Sequence, residues 1–99
     1  MVSELNHRLA SYFKVLSNAL RIEALVFLRE EDEAYLKQIA EEIGRDPGVM
    51  SRHMNALADY DLTRAETRGR KKYFTIKRED LVDDLLNIRS HLKRPDDDL

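Results

Sequence analysis

The sequence predicts a mainly helical domain with a β-hairpin, in the order α-α-α-α-β-β-α. Through most of the chain, apolar residues recur every three or four positions, which is the period of an amphipathic helix. From residue 62 to residue 77 the period shortens to two, as in paired strands. With 99 residues, 42% of them hydrophobic, the chain is long enough for one folded domain. We expect this domain over residues 1–94, followed by an acidic tail at residues 95–99.

The first two helices are predicted from apolar spacing and from a cap. The first helix covers residues 3–16, with apolar side chains at Leu5, Leu9, Tyr12, Phe13 and Leu16. Ser17 or Asn18 is expected to cap a second helix through Leu28, because their side-chain oxygens accept hydrogen bonds from free N–H groups at a helix start. The acidic residues 30–33 are expected to form a solvated connection.

A third helix over residues 36–43 and a fourth helix from Pro47 to about Tyr60 are separated by a short turn. Gly44 suits the position just past a helix end, and Asp46 can cap the fourth helix. Proline suits the first helical position because the N–H that it lacks would have no helical partner there.

Three residues at fixed intervals indicate a helix-turn-helix. Ala40 is small where a second helix would cross the first, Gly44 supplies a left-handed turn, and Met50 can pack back onto the first helix. An ordinary pair of core helices joined by a short turn is the alternative that these residues leave open.

A β-hairpin follows the fourth helix, with strands near residues 62–67 and 71–77 and with Arg68-Gly69-Arg70 at its tip. Phe74 and Ile76 can anchor one face to the core. Five cations crowd this ribbon beside one acid, Glu66: they are Arg64, Arg68, Arg70, Lys71 and Lys72. Such a ribbon can follow a phosphate backbone or reach a minor groove, where arginine is favoured. The alternative is solvated charge that protects an edge strand from aggregation.

The last helix is expected over residues 79–93, with acidic residues at its start and basic residues at its end, as the helix dipole favours. Its apolar residues form a narrow seam typical of paired helices: Leu81, Leu85, Ile88 and Leu92. The first helix has its own apolar surplus at Leu5, Leu9, Tyr12 and Phe13. One short chain has too little interior to bury both stripes, so the sequence predicts a homodimer interface made of these eight residues.

Charge is divided unevenly along the chain, although the net charge is only −2. Residues 45–78 carry 9 basic and 4 acidic residues, whereas residues 1–44 carry 5 and 8, and residues 79–99 carry 3 and 7. A cluster of cations between acidic ends indicates one localised anionic partner. A solvated basic loop is the alternative.

The fourth helix is predicted to read duplex DNA with the face opposite its buried residues Met50, Met54 and Leu57. That outward face consists of Gly48, Ser51, Arg52, Asn55 and Asp59. Arginine and asparagine can make paired hydrogen bonds to guanine and adenine edges in the major groove. A serine near the helix start can donate to a phosphate. A surface ion pair is the alternative role for the arginine.

The sequence resembles ArsR-like winged helix-turn-helix transcriptional regulators over about residues 10–77. The segments that carry the resemblance are Ser17-Asn18-Ala19-Leu20-Arg21-Ile22, Val49-Met50-Ser51-Arg52-His53-Met54-Asn55-Ala56-Leu57 and Arg68-Gly69-Arg70-Lys71-Lys72-Tyr73-Phe74-Thr75-Ile76. The resemblance implies a homodimeric repressor whose recognition helices enter the major grooves of a near-palindromic operator. The DNA-binding residues that it implies are Gly48, Val49, Ser51, Arg52, His53 and Asn55, with the hairpin cations Arg64, Arg68, Arg70, Lys71 and Lys72.

The chain departs from the family's pattern in two ways. Asp61 stands where members usually have glycine, and aspartate tolerates the left-handed conformation next best. The chain has no cysteine, so a thiolate metal site is excluded, and the zinc site of some members needs two histidines on the last helix, where only His91 is present. His7 and His91 could meet across a dimer with Asp83 or Asp84, but scattered surface histidines are the favoured interpretation. We therefore expect no metal and no cofactor, and the sequence does not indicate whether a small molecule controls binding.

Other classes of function are disfavoured. We expect no enzyme, because Ser51 and His53 diverge around a helix and the three glycines form no phosphate-binding loop. No apolar run approaches the roughly 20 residues that span a bilayer, and no signal peptide is evident, so a cytoplasmic protein is expected. The main alternative is a winged-helix module that binds other proteins of transcription or replication. RNA binding by the hairpin is disfavoured because Tyr73 is the one obvious aromatic residue for stacking.

Overall fold

A computed structural model describes residues 1–98 and has five helices and a three-stranded antiparallel sheet. The helices are α1 (Glu4–Leu16), α2 (Ala19–Glu31), α3 (Leu36–Ile43), α4 (Pro47–Asp59) and α5 (Glu79–His91), and the strands are β1 (Glu33–Tyr35), β2 (Thr63–Arg68) and β3 (Lys71–Ile76). A turn of 3-10 helix, Pro95–Asp98, follows. The predicted fold class is confirmed: the protein is a winged helix-turn-helix in which β2 and β3 form the wing.

The strand β1 corrects the predicted order of elements. It pairs with β3 through Glu33↔Thr75, Ala34↔Phe74 and Tyr35↔Tyr73, so the sheet has the order β1-β3-β2. The expected solvated connection is therefore wrong: residues 30 and 31 end α2, and Glu33 lies in a strand. A strand of three residues has no periodicity of its own, because its pairing depends on a partner that lies about 40 residues later in the chain.

Local signals place the helix ends close to where the sequence predicts them. Asn18, rather than Ser17, caps α2 by accepting hydrogen bonds from the N–H groups of residues 20 and 21. Gly44 ends α3 in the left-handed conformation with φ 76°. The Asp46 carboxylate accepts a hydrogen bond of 2.8 Å from the Gly48 N–H at the start of α4. The helix α5 ends at His91, two residues earlier than expected.

The core lies between α2, α3, α4 and the inner face of the sheet. Its buried residues are Val15, Ala24, Leu25, Leu28, Ala34, Ile39, Ala40, Met50, Met54, Leu57, Leu62, Phe74 and Val82. Ala40 and Met50 are both buried, as the helix-turn-helix spacing predicts. Asp61 adopts φ 59° just after α4, which confirms that aspartate takes the left-handed position.

The helix α1 is only loosely joined to this core. Residues 1–11 are all exposed, and Val15 is the one buried residue of α1. The radius of gyration is 14.4 Å, against about 12.6 Å for a compact domain of this length. Within residues 1–98, no helix is long and apolar enough to cross a lipid bilayer.

Candidate nucleic-acid interface

The helix α4 is fixed to the core by one face and presents polar residues on the other. Met50, Met54 and Leu57 are buried, which turns Gly48, Arg52 and Asn55 to the exposed side and leaves Val49 and Ser51 half-buried. Within residues 1–98 no hydrogen bond or ion pair engages the Arg52 guanidinium. This arginine is therefore free to bind a ligand rather than paired with an acidic neighbour.

His53 faces into the protein, unlike Arg52 and Asn55. Its Nδ1 accepts a hydrogen bond of 3.1 Å from Nε of Arg21, whose Nη1 also donates to the Val15 carbonyl oxygen at 3.0 Å. Burial lowers the pKa of His53, and the positive charges of Arg21 and Arg52 lower it further. The neutral imidazole thus joins α4 to α2, and its position gives it a structural role rather than a place on the outward face.

The wing divides its cations between two faces, because successive residues of a strand point to opposite sides of a sheet. The inner face packs on the helices through Phe74, which pairs with Ala34 and Ala65. The residues Thr67 and Lys72 continue this inner face towards the tip. The outer face carries Arg64, Arg68 and Lys71, so the five cations predicted as one cluster do not all lie on one face of the ribbon.

On the outer face the cations are interleaved with two tyrosines. The rings of Tyr35 and Tyr73 meet edge to face with centroids 5.6 Å apart. The Arg68 guanidinium lies 3.9 Å from the centroid of the Tyr73 ring, and Lys71 Nζ lies 4.4 Å from that of Tyr35. Cations over aromatic faces are held by electrostatic attraction to the ring. The charged side chains of this face are therefore held in place by contacts with the two tyrosines.

A second acid reaches the wing, which the sequence did not indicate. The Glu33 carboxylate forms an ion pair with Arg68, and this hydrogen bond raises the pKa of Arg68. Glu66 is also 3.8 Å from the same guanidinium. Of the wing's arginines, Arg64 and Arg70 therefore carry the freest charges.

The inner face of the wing contacts α4 directly. Nζ of Lys72 donates a hydrogen bond of 3.2 Å to Oδ1 of Asn55. The same ammonium lies 5.6 Å from the centroid of the Phe74 ring. The wing and α4 thus form one continuous polar surface.

A basic groove of about 390 Å³ lies between the wing tip and the first turns of α3 and α4. Its cations are Lys37, Arg70, Lys71 and Lys72, and Pro47 lines it at the start of α4. The sequence did not indicate Lys37, which lies on α3. Its place in the groove could not be predicted from the sequence, because Lys37 comes close to the other cations only when α3 packs near the hairpin.

A second surface, formed by α1 and α5, is mainly apolar. A groove of about 250 Å³ runs between these helices, and Asp84 is the one charged residue that lines it. Five of the eight predicted interface residues are exposed: Leu5, Leu9, Phe13, Ile88 and Leu92. The other three, Tyr12, Leu81 and Leu85, are half-buried, and the Tyr12 hydroxyl donates to the Tyr60 carbonyl oxygen at 3.1 Å.

The described residues 1–98 contain no group of three or more histidine, aspartate or glutamate side chains arranged to hold a metal ion. His7 and His91 are both exposed and lie on α1 and α5.

Solved structures of other proteins share this fold. The AntR antimony-specific transcriptional repressor has a TM-score of 0.81 at 25% identity, covering 92% of this chain and 81% of that chain. The homodimeric winged helix-turn-helix DNA-binding domain of Mb0332 from Mycobacterium bovis, described as a possible ArsR-family transcriptional regulator, has 0.78 at 25% identity and covers 94% of each chain. NolR from Sinorhizobium fredii has 0.79 at 20% identity, covering 93% and 94%.

Neither a protein-family model nor a curated protein matches the sequence. The similarity to solved structures nevertheless extends over nearly the whole domain. Mb0332 is described as a possible ArsR-family regulator and AntR as a transcriptional repressor, so the resemblance to ArsR-like winged helix-turn-helix regulators predicted from the sequence is confirmed.

Proposed function

We propose that this protein is a sequence-specific, duplex-DNA-binding transcriptional regulator that acts as a homodimeric repressor. The observation that carries the proposal is the free, exposed Arg52 next to Asn55 on α4, continuous with the cations of the wing. The chain has a net charge of −2 but gathers cations on this one surface. Such a surface fits a ligand that is a strong, extended anion. Arg52 would contact base edges in the major groove, with Ser51 donating to a phosphate and Arg64 and Arg70 following the backbone.

The apolar surface of α1 and α5 supports a homodimer. Leu5 is 66% exposed and Leu92 is 74% exposed in one chain, and a second copy would remove both from water. A two-fold axis through this surface would set two recognition helices about 34 Å apart, one turn of DNA. The repressor role follows the named function of AntR, a similar structure, and occupation of an operator is the mechanism that we propose for it.

A protein-binding module is the alternative that the sequence left open. It would place an apolar patch on α4 or on the wing, since the centres of protein interfaces are depleted of charge. No large apolar side chain of α4 is exposed, and the exposed residues of this helix are Pro47, Gly48, Arg52, Asn55 and Asp59. The large exposed apolar side chains lie mainly on α1 and α5. We therefore favour duplex DNA as the ligand.

The test is selection of bound duplexes from a random pool, with fluorescence anisotropy of the selected duplex at several salt concentrations. We expect an inverted repeat, a specific affinity at least about a thousandfold above that for unrelated duplex, and a logarithmic salt slope of several units. Arg52→Ala should relax the preference at one base pair of each half-site, whereas the matched change Arg8→Ala, on the exposed start of α1, should leave every preference unchanged. If no sequence is enriched among the selected duplexes, the proposal is contradicted.

A further inference from the structure

The contact between Lys72 and Asn55 determines which atoms Asn55 can offer to a base. Lysine has only N–H donors, so its Nζ contacts the amide oxygen at 3.2 Å, and this contact favours that orientation of the amide group over the reversed one. Strand alternation holds Lys72 over α4, near the ring of Phe74, while its neighbour Lys71 points to the other face and contacts Tyr35.

This contact bears on the base that asparagine ordinarily recognises. Paired hydrogen bonds to adenine require the amide oxygen to accept from the N6 amino group while the amide nitrogen donates to N7. In this protein one of the two lone pairs of the oxygen already accepts from an ammonium group, and the positive charge beside it disfavours a second hydrogen bond from the partly positive amino hydrogens of adenine. The amide N–H₂ and the ammonium N–H groups remain as donors. Guanine presents two acceptors, N7 and O6, in the major groove.

We propose that Lys72 is a positioning residue. Its contact leaves Asn55 with the amide N–H₂ group as the donor that it offers to a base, so that Asn55 selects guanine rather than adenine. This inference rests on the proposed function and adds a base preference to it. It also assigns Lys72 to specificity, in contrast to the other cations of the wing, whose contacts with phosphate carry no sequence information directly.

The experiment compares the unmodified protein with three variants by selection from a random duplex pool and by anisotropy on single-base variants of the selected site. Asn55→Ala identifies the base pair that Asn55 contacts, as the position where the preference disappears. Lys72→Met removes the ammonium but keeps an unbranched side chain. Lys71→Met is the matched control, because it removes one charge from the same strand and the same groove while leaving the contact of Lys72 with Asn55 in place.

The unmodified protein should favour guanine over adenine at the Asn55 position by about fivefold or more, the size of one good base contact. Lys72→Met should shift that preference to adenine, while Lys71→Met should weaken binding to all duplexes and keep guanine. Thermal unfolding of each variant checks that the exposed substitutions leave the fold intact.

Two outcomes overturn the inference and leave the proposed function standing. One is sequence-specific binding in which Lys72→Met and Lys71→Met show the same base preference. The other is specific binding in which Asn55→Ala changes no preference at all. A protein that binds no duplex specifically would overturn the proposed function as well.

Discussion

The surface formed by α4 and the wing and the surface formed by α1 and α5 belong to one small domain, but their side chains are supported differently. The helix α4 is anchored by three buried residues, which hold its polar residues in place. The wing is anchored by Phe74, which is buried in the core. By contrast, the first two turns of α1 contain no buried residue. Isolated helices of this length are marginal in water.

The difference indicates that one chain completes its basic surface by itself and leaves its apolar surface incomplete. A rigid scaffold holds the residues that we propose to read DNA. The residues that we propose to form the dimer have open space where a partner would pack. The predictions below test whether the two surfaces depend on each other or work separately.

The largest effect is expected from placing charge in the apolar surface. Ile88→Glu with Leu92→Glu, both at exposed positions, should give a folded monomer, since neither side chain supports the core. Because two half-sites bound together gain affinity from their linkage, loss of the dimer should weaken operator binding by at least about a hundredfold. Sedimentation measures the mass and anisotropy measures the affinity. Asn87→Glu, next to these residues on α5, is the control, and an unaltered dimer in the double variant would refute this surface as the interface.

A smaller effect is expected from the wing. Changing Arg68, Arg70, Lys71 and Lys72 to alanine should lower affinity for every duplex by about tenfold or more at 0.15 M salt, with the salt slope falling by about 0.9 for each phosphate that the wing no longer neutralises. The dimer should persist, which would separate the two surfaces. Titrations between 0.05 and 0.3 M salt provide the measurement, and the charge-matched control removes Arg29, Lys77, Arg78 and Arg94, which are exposed and lie outside both the wing and the apolar surface. Equal salt slopes for the two quadruple variants would mean that the wing does not touch DNA.

Thr63 offers a way to strengthen the root of the wing. It is 2% exposed, and its hydroxyl has no hydrogen-bond partner within the described chain. Thr63→Val keeps the shape and removes the unsatisfied group, so we expect the free energy of unfolding to rise by about 1 kcal/mol. Urea unfolding measures it, with Thr67→Val on the exposed part of β2 as the control. A loss of stability would show that the hydroxyl has a partner in solution.

The smallest effect concerns pH and the contact between α4 and α2. Burial and two arginines lower the pKa of His53 in the folded protein. The unfolded chain therefore binds a proton first as the pH falls below about 6.5, and the free energy of unfolding decreases from that point down through the lowered pKa. Urea unfolding at pH 7.5 and 5.5 should show this loss. In His53→Asn, which keeps an acceptor for Arg21, the loss should be smaller, and an identical loss would assign it to other groups.

Much of the fold could be predicted because its signals are local. Asn18, Gly44 and Asp46 each fix a helix end through atoms within a few residues of themselves. The strand β1 could not be predicted, because three residues form a strand only against a partner that the rest of the fold brings to them. Because β1 was not predicted, the contact of Tyr35 with Tyr73 on the outer face of the wing could not be predicted either.

The site was predictable in composition and in part of its arrangement. The period of two already separates Lys71 from Lys72, and the helical period already places His53 beside the buried Met50 and Leu57. Both inferences were available from spacing alone. The ion pair of Glu33 with Arg68 depends on how the sheet assembles, and the contact of Lys72 with Asn55 depends on how α4 lies against it.

The central position of β3 has a consequence for how the wing opens. β3 is hydrogen-bonded on both sides near Tyr73 and Thr75, whereas β2 has a free edge. Local opening releases segments with few buried contacts first, and every residue of β2 after Thr63 is exposed. Amide hydrogen exchange should therefore be fastest near Gly69 at the tip and slowest where β1 covers β3. The wing would fray from its outer strand while its root stays closed, so its tip can adapt to a curved ligand without disturbing the core.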